Sequence, residues 1–108
     1  MATRFATASI HGDWLEAKRL IAPGANYPGG AFLQKQADFF LQRQFTIDRP
    51  ARFAKGRYVF LLRGRSGEPS GAYVAETAEL AVELARPAGR WAVSEWQFEP
   101  LEVEVSAP

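Results

Sequence analysis

Hydrophobic residues in this chain repeat with a helical period as far as about Phe45 and alternate with polar ones after it. Phe5 and Ala8 share one face of a short helix predicted over Arg4–His11, with Thr3 as its N-cap, and Gly12 breaks it. Asp13, with Glu16 three residues on, starts a second helix as a capping box, in which side chains satisfy backbone N–H groups that the helix start leaves free. Trp14, Ala17, Leu20 and Ile21 fall on one face of that helix, and Pro23-Gly24 ends it. The run GANYPGG, Gly24–Gly30, carries every signal of a loop. A longer helix is predicted over Ala31–Gln44, with Phe32, Leu33, Ala37, Phe39, Phe40 and Leu41 forming a wide apolar arc suited to lie across a sheet.

The remainder reads as strands. Phe45–Ala54 is a weak strand that Pro50 restricts to an edge or a bulge, and Lys55-Gly56 makes a turn. Arg57–Arg63 is a strand with apolar residues on both faces, Tyr58, Phe60 and Leu62 against Val59 and Leu61. Gly64–Gly71 is predicted as a loop. Ala72–Arg86 has a helix-former's composition, yet Val74, Ala78, Leu80, Val82 and Leu84 alternate with Thr77, Glu79 and Glu83. Alternation reports burial, so a strand is expected there, joined through Pro87-Ala88-Gly89 to a strand over Trp91–Glu99 and a short extension at Leu101–Val105.

Composition narrows the class. A chain of 108 residues with 47% hydrophobic and 23% charged content is sized for one α+β domain, residues 1–108. A net charge of +1 gives no field that argues for nucleic acid or an anionic membrane. Basic residues gather at Arg49–Arg65 and acidic ones at Glu76–Glu104, which suits charge pairing between the outer faces of neighbouring strands. With no cysteine, disulfides and thiolate chemistry are excluded. No apolar run approaches the length of a membrane span and no signal segment is apparent, so a cytoplasmic location is expected.

Two short helices, a loop, a long helix and an antiparallel meander, with GDWLEAKRLIAPG (Gly12–Gly24) early and GRWAVSEWQFEP (Gly89–Pro100) late, make a chain that resembles the nuclear transport factor 2-like superfamily, which includes ketosteroid isomerases and polyketide cyclases. The resemblance implies a cone-shaped roll: a bent antiparallel sheet curled around the long helix, with an apolar pocket at the wide end and a dimer through the outer sheet face. The strand that the family places between its second and third helices is here reduced to GANYPGG, which implies a pocket that is smaller, shallower or filled.

Candidate chemistry is sparse. His11 and Asp13 suggest a base with its orienting carboxylate, but Asp13 is better explained as the helix cap and His11 as an exposed helix end. One His and scattered carboxylates make no metal set, and neither a phosphate loop nor a serine elbow is present, so no catalytic residue, metal or cofactor is assigned. Two polar residues occupy apolar registers, Gln36 in the third helix and Glu76 in the strand that follows the loop. Together with Tyr27, Phe40, Tyr58 and Trp91 they are expected to line the pocket, with Gln36 and Glu76 as the orienting polar contacts. The expected function is a non-enzymatic ligand-binding or protein-interaction domain, a homodimer with a possible small apolar ligand. The alternative is an isomerase, cyclase or lyase using a carboxylate in the pocket.

Overall fold

The computed structural model describes residues 1–67, 71–86 and 89–106. Three helices, α1 (Ala2–Ile10), α2 (Trp14–Leu20) and α3 (Gly30–Arg43), precede four strands, β1 (Thr46–Ala54), β2 (Arg57–Gly67), β3 (Tyr73–Ala85) and β4 (Ala92–Ser106). The strands form one antiparallel sheet in sequence order, and the helices pack on the concave side of its curve, as the α+β reading expects.

Local chemistry sets the element ends. Met1, not Thr3, is the N-cap of α1, so that helix starts two residues earlier than predicted. Asp13 caps α2 as expected: its Oδ1 accepts from the Glu16 backbone N–H at 3.2 Å. Gln44 ends α3 in the left-handed region at φ 52°. The β1–β2 hairpin turns on Lys55 and Gly56, both at positive φ, the geometry that matches the strand twist in a two-residue turn.

β1 is an edge strand, and its register with β2 shifts between Ile47 and Arg49 and again between Arg49 and Arg52, the second interval containing Pro50. The predicted loop at Gly64–Gly71 begins later than expected. Residues Gly64–Gly67 still pair with Tyr73–Glu76, so β2 runs four residues past Arg63, and residues 68–70 lie outside those described. Of the predicted loop at Pro87-Ala88-Gly89, residues 87 and 88 likewise lie outside them. The segment with a helix-former's composition is β3, a strand throughout. Its alternation prevails over propensity because Ala78, Leu80 and Val82 are fully buried against the helices. The two late segments form one strand, β4, with register shifts that leave Ser94 and Leu101 as extra residues.

The core lies between the concave face and the helices. Phe5, Phe40, Phe45, Phe60, Leu33, Leu62, Leu80, Val82 and Val93 are its largest enclosed side chains. In α3 the buried stripe is Leu33, Ala37 and Phe40, while Phe32 and Leu41 at the margins of the predicted arc are exposed. The strand rudiment between α2 and α3 is one parallel bridge, Ile21 to Val93, fixed by the Ala22 N–H donating to the Val93 carbonyl at 2.7 Å. It precedes GANYPGG instead of lying within it. On the convex face, Arg52 meets Glu79 at 2.9 Å, Arg57 meets Glu83 at 3.7 Å and Arg63 meets Asp48 at 2.8 Å. The basic and acidic clusters therefore pair across the sheet in part, through Arg52–Glu79 and Arg57–Glu83.

Candidate functional site

The interior of the curved sheet is filled with aromatic rings. Phe98 stacks edge-on against Phe39, Phe40 and Phe45 at centroid distances of 5.4, 5.2 and 5.8 Å, and Trp96 packs on Phe5 at 5.2 Å. Such tilted contacts suit the ring quadrupoles and close the space that a deep pocket would need. Open space lies instead at the rim, and it separates the six predicted pocket residues into three places and the core.

Phe40 is in the core, 1% exposed, and lines no opening. Tyr27 and Gln36 meet in a groove of about 400 Å³ between the Asn26–Pro28 loop, α3 and β4, whose walls include Phe32, Trp96 and Phe98. The Trp96 indole N–H donates to Gln36 Oε1 at 3.0 Å, and the Tyr27 ring lies 5.8 Å from Trp96. Gln36 sits in an apolar arc because it satisfies a part-buried indole N–H.

Glu76 faces inward opposite Gly64, in the register predicted, with its side chain 13% exposed. Its partner is Arg43 at the end of α3, whose Nε lies 3.2 Å from Oε1, and not Gln36. The Arg43 guanidinium also covers the Phe39 ring at 3.7 Å, so stacking and ion pairing hold one cation in place. Glu76 therefore ties the sheet to the helix end, away from Tyr27, Gln36 and Trp91.

Tyr58 and Trp91 meet at the hairpin end of the sheet. Together with Met1, Phe53, Gly56 and Leu84 they line a cleft of about 410 Å³. Exposure marks this place out: Phe53 is 64% exposed, Trp91 54%, Met1 43% and Tyr58 37%. Phe53 and Tyr58 stack edge-on at 4.9 Å, and the Arg86 guanidinium lies 5.1 Å from the Trp91 ring. Exposed apolar side chains around one concavity in the size range of ligand pockets make this a candidate binding site. Of the residues around it, the sequence reading named Tyr58 and Trp91 and did not name Met1, Phe53 and Leu84. Phe53 was the one with a signal, since it pairs with Tyr58 across the Lys55-Gly56 turn.

His11 is exposed at the end of α1 and Asp13 is occupied as a cap, so the pair forms no acid–base unit. Among the described residues no group of His, Asp or Glu could hold a metal ion, and no helix is long and apolar enough to cross a membrane. No protein-family model, curated protein or solved structure matches this chain.

Proposed function

We propose that this chain is a non-enzymatic binding domain of the nuclear transport factor 2-like kind, and that its site is the cleft at the hairpin end of the sheet. The order of helices and strands, the curved sheet and the strand rudiment at Ile21 support the family reading. The observation that carries the functional reading is the ring of exposed Met1, Phe53, Tyr58 and Trp91 around one cleft. An apolar or aromatic small molecule would bury these faces, and each fully covered ring contributes roughly 1.5–3 kcal/mol. The aromatic filling of the interior favours binding at the rim, and the Arg43 pairing of Glu76 favours a structural role for that carboxylate over general-base work.

A titration with an anilinonaphthalene sulfonate dye tests the reading. The expected result is saturable one-to-one binding to the folded protein, weakened at least about tenfold by Phe53→Ser or Trp91→Ala, since either removes one covered ring. Unchanged dye affinity in both folded variants would place the site elsewhere.

The same proposal includes a two-fold dimer through the convex face. Val59, Leu61 and Leu101 form an apolar furrow there, between Arg49, Arg52 and Glu79. Static light scattering at high micromolar concentration should give twice the 12.0 kDa chain mass. A Leu61→Arg variant should return it to one chain mass, and a monomeric parent protein would contradict the dimer.

A further inference from the structure

The outer edge of β4 is the longest stretch of unpaired strand in the fold. β4 pairs with β3 on one side, and among the described residues its other side is met only by the bridge from Ile21 to Val93. That bridge shows the edge already accepting an extended chain. Directly after it the chain turns at Pro23-Gly24, with Gly24 at φ +81°, and among the described residues no strand pairs with the edge from Ser94 onward, beside which the Asn26–Pro28 loop forms one wall of a groove. An open edge presents backbone N–H and C=O groups to any strand that can reach them.

The groove lined by Tyr27, Phe32, Gln36, Trp96 and Phe98 runs beside this open stretch. The two sides of β4 differ in character. Trp96, Phe98, Val103 and Val105 pair with Val82, Leu80, Glu76 and Val74 and so lie on the concave side. Glu95, Glu99, Glu102 and Glu104 pair with Glu83, Glu79, Thr77 and Ala75 on the convex side. Arg57 and Arg52 neutralise Glu83 and Glu79, and Glu95 has only a 4.0 Å approach from Arg57. Glu99, Glu102 and Glu104 have no ion pair among the described residues. Like charges directly across strands are unfavourable, and cations beside them would relieve that repulsion.

From these features we infer that the β4 edge takes up an extended peptide segment in which basic and apolar residues alternate, as a fifth strand beginning where Ile21 leaves off. Its apolar side chains enter the groove over Trp96 and Phe98, and its Lys or Arg side chains meet Glu95, Glu99 and Glu102. Backbone hydrogen bonds supply affinity, and the two alternating rows supply specificity. A second copy of β4 is a poor occupant, because it would set one glutamate row against another. The inference does not depend on the hairpin-end cleft.

The probe is a short synthetic peptide alternating Lys and Val, added to the intact protein and followed by calorimetry and amide hydrogen exchange. Binding should weaken as salt rises, slow exchange along Glu95–Glu99, and fall about tenfold in Glu95→Lys/Glu99→Lys. Three further peptides separate strand pairing from charge attraction. One alternates Glu and Val, one carries the same Lys and Val in two blocks, and one is N-methylated at two successive central residues so that neither edge can pair. Each should bind at least about tenfold more weakly to the parent protein, since it lacks the charge, the alternation or the N–H donors. Equal affinity for the N-methylated or block peptide would reduce the effect to charge attraction and overturn the inference. So would slowed exchange confined to other strands, or self-association through β4 that the peptide cannot compete with.

Discussion

Gly64 lies where the sheet packs against the end of the third helix. A methyl group there would stand 2.6 Å from the Arg43 carbonyl oxygen and 2.9 Å from the Phe45 ring, and a backbone atom cannot yield as a side-chain tip can. Directly across the ladder lies Glu76, held by Arg43, so one glycine lets helix end, ion pair and aromatic core converge. Gly64→Ala should destabilise the protein by about 1–3 kcal/mol, the range for overpacking a filled site. Urea unfolding would report this as a lower midpoint at constant slope, and an unchanged midpoint would mean that α3 shifts away without penalty. None of this was visible in the sequence, where Gly64 opens a Gly- and Ser-rich run and reads as the start of a loop. Glu76 was legible as an inward carboxylate because alternation fixes the side of a strand. Its partner was not, since Arg43 lies 33 residues away on an element whose docking the pattern leaves open.

At the scale of elements, alternation was the most dependable signal, and its interruptions were the least readable. β3 combines helix-forming composition with period-2 burial, and burial prevails because its inner row Ala78, Leu80 and Val82 is fully enclosed, with α1 packed against the strand. β4 shows the opposite difficulty. Val93, Trp96 and Phe98, then Val103 and Val105, cannot all share a side in an unbroken strand, yet in β4 they do. The extra residues Ser94 and Leu101 restore the phase. The Ser94 hydroxyl donates to the Glu83 carbonyl at 3.1 Å, and Leu101 joins Val59 and Leu61 in the convex furrow. A bulge changes which side a row of side chains faces without leaving a turn residue to announce it.

Across the whole molecule, the helices cover only part of a sheet that spans much of the 53 Å length, so the open places lie at its ends and edge. The class of fold was legible because helix and strand periods are local properties. The candidate site was not, because the hairpin-end cleft is assembled from the start of α1, the β1–β2 hairpin and the adjoining ends of β3 and β4. The central claim, that ligand binds at this cleft and not inside the filled curve of the sheet, has a direct readout in the tryptophan indoles. Trp91 stands exposed at the cleft, whereas the Trp96 N–H is bonded to Gln36 in the separate groove. In an isotope-labelled sample titrated with the naphthalene dye, the Trp91 indole N–H resonance should move progressively with ligand while that of Trp96 stays in place. Movement of the Trp96 resonance with Trp91 unmoved would contradict the account.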